Sequence, residues 1–308
     1  MSKVAPSPEQ MQLIKTMAAG VKPERAPLLK TPSDYGMAYE DVFFSALDGV
    51  PLEAWFIPAE GSDKLIIVNH PMTMNRYGFP GHLEPWSQFN DVTVDFNIVY
   101  KALHDASYNV LSYDLRNHGR SGSAHGGVSA VGLNEWRDVI GALNYVKSNV
   151  KLSGMKIGLL NHCAGGNAAM IAMNKHPEYF TEIKAFVCPQ PASMDIGMKM
   201  IMTEAGLGDF MEELDFEQIK LGGYANKEMS PHPYAPHVKV PTLIIQVKED
   251  SWSQTDKDVQ VTFDNLNSLE SEHKKLHWIE GTSKRFDGYN FCGEQPELML
   301  QWFDKYMT

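Results

Sequence analysis

The sequence predicts an α/β fold with a mostly parallel, eight-stranded sheet that helices cover on both faces. Two observations predict it. Short apolar runs alternate with longer segments of helical periodicity over most of the chain, and a two-strand hairpin pattern precedes them. Alternating strands and helices are typical of parallel sheets buried on both faces. The hairpin is expected to add an antiparallel edge to that sheet.

The N-terminal segment predicts a helical extension. Ser7 suits the N-cap and Pro8 the first turn of an amphipathic helix, which Gly20 ends. A proline-containing linker follows. We therefore expect residues 1–38 to form an N-terminal extension and residues 39–308 to form the main domain.

Eight strands are predicted in the main domain. The first two form a hairpin around the turn dipeptide Asp48-Gly49, and the other six are short apolar runs between turn signals. In chain order the strands span 39–44, 52–57, 65–69, 110–113, 157–160, 185–188, 242–247 and 276–279. The helices that alternate with them, or follow them, span 94–106, 133–148, 164–175 and 296–307.

One connection is too long for a simple strand–helix unit. The stretch from Cys188 to Val240 far exceeds the usual connection in α/β folds, and it contains two helix-like segments, 193–205 and 209–221. It is also rich in methionine. Two interpretations stay open: an adaptable methionine surface that covers an apolar pocket, or a methionine-filled core for two extra helices. We place this small helical cap at residues 191–237.

The composition limits the partners of the protein. The 308-residue chain has a formal net charge of −11 and no basic run, which disfavours nucleic acid and anionic membranes. No apolar stretch approaches the ~20 residues of a membrane helix, and the N-terminus lacks the apolar core of a secretory signal. Three cysteines are too few for a disulfide scaffold and favour a reducing, cytoplasmic setting.

The run Asn161–Gly166 carries the strongest chemical signal. It lies between an apolar strand and a helical pattern, which is the setting of the G-x-S-x-G nucleophile elbow. Cys163 stands in the place of the serine and Asn161 in that of the first glycine, while Gly165 keeps the small residue that the turn needs. A helix N-terminus stabilises a thiolate, and the Ala164 N–H can face an oxyanion. We interpret Cys163 as a nucleophile; the alternative is an inert cysteine that begins an ordinary helix.

Three further motifs resemble the α/β-hydrolase superfamily. Residues 114–122 read D-L-R-N-H-G-R-S-G and resemble the segment after the fourth strand of these enzymes. The run Val68–Met72 resembles their His-Gly oxyanion strand end, with Pro71 replacing the glycine. Residues 286–290 (F-D-G-Y-N) resemble a dienelactone-hydrolase-like subgroup that includes fungal polyketide acyl transferases. The likeness extends over residues 39–307 and implies an α/β-hydrolase fold with a cysteine at the elbow.

The resemblance also implies roles for individual residues. The insertion takes the place of the cap that these proteins carry after the sixth strand. Met72 would supply the second oxyanion amide, because Pro71 has no N–H. Arg116 and His118 would tie loops together, and His162 would pack into the fold or against the pocket wall.

The triad acid has a match in this sequence, whereas the triad base does not. The family places a carboxylate after the seventh strand, where Asp250 fits and Glu249 is its rival; an ordinary solvated carboxylate is the other interpretation. The base histidine belongs in residues 279–288, which contain none, and Lys284 and Arg285 stand in its place. Arginine is no base at neutral pH, and lysine becomes one only if burial lowers its pKa. The usual Ser-His-Asp relay therefore cannot be assembled.

Three interpretations of the site around Cys163 remain open. A helix dipole and a cation alone can stabilise a thiolate near neutral pH, in which case Lys284 or Arg285 sets the charge of the pocket. His70 or His162, the histidines nearest the elbow in the predicted fold, could serve as a replacement base. In the third case the site no longer hydrolyses anything.

We expect an acyl enzyme, namely an esterase, thioesterase or acyltransferase, that forms an acyl intermediate on Cys163. Its substrate would be a small or medium apolar acyl group, free or carrier-bound. Two alternatives are a catalytically reduced module that grips a small acidic ligand through Arg285, and a lyase or isomerase whose oxyanion hole stabilises an enolate. No metal-ligand spacing or phosphate-binding glycine loop appears, so neither a metal nor a nucleotide cofactor is expected. A homodimer is compatible with the sequence.

Overall fold

The fold is described from a computed structural model over residues 5–308. The strands are β1 (Glu40–Ser45), β2 (Pro51–Ile57), β3 (Lys64–Asn69), β4 (Gly78–Phe79), β5 (Val94–Asp95), β6 (Asn109–Tyr113), β7 (Lys156–Asn161), β8 (Ile183–Pro189), β9 (Thr242–Val247) and β10 (Lys274–Ile279). The α-helices are α1 (Pro8–Ala19), α2 (Trp86–Phe89), α3 (Phe96–Asp105), α4 (Trp136–Ser148), α5 (Ala164–Lys175), α6 (Met194–Glu204), α7 (Met211–Lys220), α8 (Val259–Asp264), α9 (Asp287–Glu294) and α10 (Glu297–Tyr306).

The central sheet has eight strands in the order β1-β2-β6-β3-β7-β8-β9-β10. The strand β2 is antiparallel to both β1 and β6, and all other pairs are parallel. The predicted α/β fold with its mostly parallel eight-stranded sheet is therefore confirmed. All eight predicted strands are present, whereas the small β4–β5 ribbon and the short helices α2, α8 and α9 had no counterpart in the prediction.

Successive side chains of the central strands point to opposite faces of the sheet, so each face has its own apolar core. In β7, Leu159 packs on the face covered by α4 and α5, and Leu160 packs on the face covered by α3 and α10. Ile67 and Ile66 of the neighbouring β3 divide in the same way. Burying each such side chain stabilises the fold by about 1.5–3 kcal/mol. No helix among the described residues is long and apolar enough to span a membrane.

The insertion between β8 and β9 forms α6 and α7, and α1 packs against it. Ile14 and Ala18 of α1 share an apolar cluster with Met202 and Leu214 of the inserted helices. Both interpretations of the methionines hold in part, because Met202 is buried in this cluster while Met198 also lines the cavity described below. The predicted boundaries of the extension and of the cap stay predictions.

One arginine attaches the linker after α1 to the main domain. The Arg25 guanidinium donates to three carbonyl oxygens and a hydroxyl in the loop after β6: those of His118 (3.2 Å), Gly119 (2.8 Å), Ser121 (2.6 Å) and Ser123 (2.9 Å). These bonds fix the C-terminal end of residues 16–24, which line the site.

Candidate active site

Cys163 sits at the apex of a tight turn between β7 and α5. Its backbone has φ 46° and ψ −111°, a left-handed conformation that costs a non-glycine residue about 1–3 kcal/mol. Two hydrogen bonds hold it: the Cys163 N–H donates to the Pro189 carbonyl at 2.9 Å, and the Asn167 N–H donates to the Cys163 carbonyl at 2.8 Å. The half-buried thiol faces a cavity at the helix N-terminus.

Close backbone approaches explain the small residues that follow Cys163. A Cβ on Gly165 would lie 1.8 Å from Asn69 Oδ1, and one on Gly166 would lie 2.4 Å from Cys188 Sγ. Asn161, in the place of the first glycine, is instead an ordinary strand residue in register with Asn69. Since the positive φ falls on Cys163 and not on Asn161, the asparagine is tolerated there.

Of the two predicted oxyanion amides, one belongs to the residue after Cys163 and the other to a residue that lines the cavity of Cys163. Ala164 is the first residue of α5, so its N–H has no acceptor within the helix. Met72 lines the same cavity as Cys163. The peptide that carries the Met72 N–H is oriented by His70, whose Nδ1 lies 2.8 Å from the Pro71 carbonyl oxygen.

His70 acts as a support for this peptide, and its geometry argues against the role of replacement base. Its Nε2 accepts a hydrogen bond from the Leu115 N–H at 3.0 Å, so Nδ1 carries the proton and donates it to the Pro71 carbonyl. Burial is the main cause that lowers the pKa of His70 well below its usual range. Both ring nitrogens are thus committed to backbone groups, and neither is free to activate Cys163.

Arg285 occupies the place of the missing histidine. Its guanidinium forms a buried ion pair with Asp250 and donates to the Gln190 carbonyl. Its Nη2 lies 3.6 Å from Cys163 Sγ, and its Nε donates to the Tyr289 hydroxyl at 3.0 Å. One cation therefore joins the carboxylate, the thiol and a phenol.

Asp250 has the position expected of the triad acid. It accepts hydrogen bonds from Gln246 Nε2 at 2.8 Å and from the Trp252 N–H at 2.9 Å, whereas the side chain of Glu249 is exposed. Burial alone would lower the pKa of Arg285. The neighbouring Tyr289, Asp250 and Cys163 together have the larger effect and hold this pKa well above its usual range. The guanidinium therefore stays charged beside the thiol.

The other two predicted site residues do not reach the thiol. Lys284 points to solvent, where its Nζ lies 3.2 Å from Asp91. His162 is fully buried: its Nδ1 lies 3.0 Å from the Asn69 carbonyl oxygen and its ring packs 4.8 Å from that of Phe96. Burial lowers the pKa of His162 to about 4, so it is a neutral packing residue.

A cavity of about 720 Å³ opens over Cys163 and Arg285. Its walls are mostly apolar and come from three parts of the chain: aromatic side chains of the main domain, the cap helix α6 and the segment 16–24. The main apolar wall residues are Met17, Val21, Phe79, Phe89, Met194, Met198, Ile201, Trp252 and Phe286. Such a cavity suits an apolar ligand whose reactive end meets a few polar groups.

Sequence reasoning assigned no role to Tyr289, Gln190 or Gln246. Tyr289 lies four residues after Arg285, in the short helix α9 (Asp287–Glu294), which was not predicted. Gln190 and Gln246 follow or lie in buried strands, and the carbonyl oxygen of Gln190 and the side-chain amide of Gln246 hold Arg285 and Asp250 in place.

One group within the described residues has side chains close enough together to hold a metal ion, namely Glu270, Glu272 and His273. It precedes β10 and lies largely exposed at the opposite end of the parallel strands from Cys163. It is therefore separate from the thiol site.

The model of the prolyl oligopeptidase family matches residues 94–308, more than two thirds of the chain. The chain belongs to this family. Family and fold place the protein among the hydrolases of the α/β-hydrolase superfamily, as the sequence predicted.

Known proteins support the fold at low sequence identity. An esterase from Pyrococcus furiosus has a TM-score of 0.70 at 22% identity, over 93% of this chain and 98% of that one. A dienelactone hydrolase from Anabaena variabilis has a TM-score of 0.54 at 18% identity, over 88% and 99%. The uncharacterised protein YqkD of Bacillus subtilis is 24% identical over 207 residues, which are 66% of this chain and 61% of that relative. This chain thus matches less than two thirds of the length of YqkD.

Proposed function

We propose that this protein is an acyl enzyme in which Cys163 reacts as a thiolate paired with Arg285. It would take an apolar acyl group from an ester or thioester and hold it as a thioester on Cys163. The observation that carries the proposal is the position of the Arg285 guanidinium between the Asp250 carboxylate and Cys163 Sγ, 3.6 Å from the sulfur.

This arrangement favours cysteine over serine as the nucleophile. A thiolate needs only a stabilising positive environment, which Arg285 and the N-terminus of α5 supply. A serine would need a base to remove its proton, and arginine cannot do so at neutral pH. A cysteine in the place of the family's serine therefore fits an arginine in the place of its histidine.

The oxyanion of the tetrahedral intermediate would accept hydrogen bonds from the Ala164 and Met72 amides. Removal of one such donor typically costs about 3–4 kcal/mol of transition-state stabilisation. The acyl chain would lie in the cavity against Met198 and the aromatic wall. Because Arg285 cannot relay protons, donors with good leaving groups, such as thioesters and p-nitrophenyl esters, should react most readily.

Acylation of Cys163 tests the proposal directly. Intact-mass spectrometry after incubation with p-nitrophenyl butyrate, or with a butyryl thioester, should show one added acyl group. Cys163→Ala should show none, and Cys163→Ser should be equally inactive because no base serves the hydroxyl. Cys292→Ala is the matched control, since this buried thiol lies outside the site and its loss should leave acylation unchanged.

A wild-type protein that gains no acyl group at Cys163 from either donor would contradict the acyl-enzyme proposal. An active Cys163→Ser variant would contradict the thiolate–arginine pairing. The ligand-binding alternative receives less support from the geometry, because the Arg285 guanidinium already binds Asp250, the Gln190 carbonyl and the Tyr289 hydroxyl and lies next to Cys163.

A further inference from the structure

The thiol site contains a phenol that the mechanism above does not use. Tyr289 lines the cavity together with Cys163 and Arg285, and its side chain is otherwise buried. Arg285 cannot move a proton, Asp250 does not line the cavity, and His162 is packed beneath the elbow. The cleavage of an ordinary ester nevertheless needs a proton for the departing alkoxide.

Hydrogen-bond geometry leaves the proton of Tyr289 available to the reacting atoms. Arg285 Nε donates to the Tyr289 oxygen at 3.0 Å, so this oxygen acts as an acceptor and its own O–H points to another group. The same guanidinium reaches Cys163 Sγ at 3.6 Å through Nη2. The phenol and the thiol are thus placed side by side against one cation.

We propose that Tyr289 is the proton carrier of this site, so that Tyr289 and Arg285 together do what a catalytic histidine does elsewhere. Tyr289 would give its proton to the leaving group when Cys163 is acylated and regain one from the acceptor when the acyl group leaves. The inference rests on the proposed function, because it assigns the proton transfers of the same acyl exchange.

The two half-reactions balance. In the first, the Cys163 thiolate forms a bond to the acyl carbon, the bond from that carbon to the leaving oxygen breaks, and this oxygen takes the Tyr289 proton. The phenolate that remains is stabilised by the Arg285 cation. In the second, an acceptor hydroxyl, thiol or amine attacks the thioester and loses its proton to the phenolate, while Cys163 departs as a thiolate.

The charges around Tyr289 couple its proton to the acylation state. Burial raises the pKa of Tyr289 well above its usual range, Arg285 lowers it, and the neighbouring Cys163 raises it again. The phenol is therefore protonated beside the free thiolate. Acylation removes the negative charge of Cys163 but leaves Arg285 in place, so the phenolate becomes easier to form at the step that requires it.

Tyr289→Phe tests the role against a series of leaving groups. Rates of Cys163 acylation would be measured by quenched intact-mass spectrometry with p-nitrophenyl, phenyl and ethyl butyrate and with a butyryl thioester. We expect the variant to lose about 100-fold or more with the phenyl and ethyl esters, whose leaving groups need a proton. With the p-nitrophenyl ester and the thioester the rate should stay within about threefold, since these leaving groups depart as anions.

Tyr306→Phe is the control, because its hydroxyl binds the Glu272 carbonyl outside the cavity and its loss should change no rate. A loss that is equal for all four donors, or no loss with any of them, would overturn the role of Tyr289. Absence of acylation in the wild-type protein would instead overturn the proposed function itself, so the two failures are distinguishable.

A second variant covers the case in which Tyr289→Phe does not fold. Site-specific 3-fluorotyrosine at position 289 keeps the hydroxyl and lowers the pKa of the phenol. The rate of phenyl-ester acylation at pH 7 should rise, because a more acidic phenol donates its proton more readily, while the thioester rate should not change. Equal phenyl-ester rates in the fluorinated and wild-type proteins would contradict the proposal.

Discussion

Two buried arginines, Arg116 and Arg285, follow strands of the same sheet and have opposite surroundings. Arg116 is fully buried between carboxylates: its Nε lies 2.8 Å from Asp138 and its Nη2 lies 2.7 Å from Asp48. Arg285 has one carboxylate partner, Asp250, and its remaining edge faces the cavity.

The difference lies in what each guanidinium leaves unsatisfied. Arg116 closes a loop junction and does not line the cavity, so its charge is used entirely within the fold. Arg285 keeps one N–H edge next to Cys163 and donates another N–H to Tyr289. Burial and ion pairing alone therefore do not identify a reactive arginine; the contact with a nucleophile in a cavity does.

The largest expected effect is on the unfolding free energy of variants that lack one of the two arginines. Arg116→Met leaves the fully buried Asp138 without its partner, which should cost about 3–5 kcal/mol of unfolding free energy. Arg285→Met should cost less, about 1–3 kcal/mol, because Asp250 keeps two donors, the Gln246 amide and the Trp252 N–H, whereas Asp138 keeps one, the backbone N–H of residue 116. Urea unfolding of both variants would measure the difference.

Arg116→Met should be the less stable variant, whereas Arg285→Met should be the one with the less reactive thiol. The rate of Cys163 alkylation by iodoacetamide at pH 7 should fall in Arg285→Met and stay near the wild-type rate in folded Arg116→Met. If Arg285→Met proved the less stable variant and kept its alkylation rate, the distinction between a structural and a reactive arginine would be wrong.

Acid should lower the stability of the folded protein through His162, which packs beneath the elbow. His162 has a pKa of about 4 in the folded protein against 6.5 for an exposed histidine. The unfolded chain therefore binds the proton first as the pH falls from about 6.5, and folding loses stability until about pH 4, by at most about 3 kcal/mol.

Urea unfolding of wild-type protein and His162→Gln between pH 4 and 7 measures this contribution by difference. The variant should lose less stability than the wild type over that window. His118→Gln is the matched variant near Arg116, since burial also lowers the pKa of His118. Identical slopes for wild type and His162→Gln would show that His162 is not held neutral.

Arg285→His should convert the site into a hydrolytic triad. Asp250 already lies where it can orient an imidazole, and Cys163 lies on the other side of the replaced side chain. A general base beside the acyl thioester would activate water, which typically gives about 100-fold or more in rate. Steady-state release of p-nitrophenol from p-nitrophenyl acetate should rise by that order.

Two controls make the conversion specific. Arg285→His combined with Asp250→Asn should lose most of the gain, because the imidazole is no longer oriented. Arg116→His should give no gain, since no thiol lies near it. A folded Arg285→His protein without increased turnover would mean that position 285 cannot serve as a base position for Cys163.

Much of the fold and part of the site could be predicted from the sequence, for identifiable reasons. The strands follow from short apolar runs between turn signals. The elbow follows from glycines at positions where a Cβ would clash with Asn69 and Cys188. Asp250 was proposed because the α/β-hydrolase resemblance places a carboxylate after the seventh strand.

The partner of Cys163 needed three-dimensional information. Lys284 and Arg285 are adjacent and both cationic, and only the turn that precedes α9 decides which of them points inward. Tyr289 acquires its position from the helical spacing of α9, where Gly288 is required because a Cβ would lie 1.8 Å from Gln190 Nε2. Such contacts join segments that are far apart in the chain.

The smallest expected effect concerns another ion pair, between the half-buried His232 and the buried Asp258, whose cation titrates. His232 Nε2 lies 2.9 Å from the Asp258 carbonyl oxygen and 3.2 Å from Ser193 Oγ, and the Ser193 N–H donates to the Asp258 carboxylate at 3.0 Å. This cluster fixes the start of the cap helix α6 to the main domain. Burial lowers the pKa of His232, but hydrogen bonds with Asp258 and the charges of Asp258 and Asp195 raise it more, to above its usual value.

A raised pKa stabilises the fold fully below the unfolded value of about 6.5, and this stabilisation is lost as the pH rises through the folded value. His232→Gln should therefore cost about 1 kcal/mol at pH 6 and less at pH 9, as measured by urea unfolding. The Arg116→Met penalty should instead grow over the same range, because burial raises the pKa of Asp138 to about 7 and this carboxylate must ionise above that pH without its partner. A His232→Gln penalty that stays constant or grows toward pH 9 would mean that the pair depends on packing alone, and that the cap is fixed as permanently as the junction at Arg116.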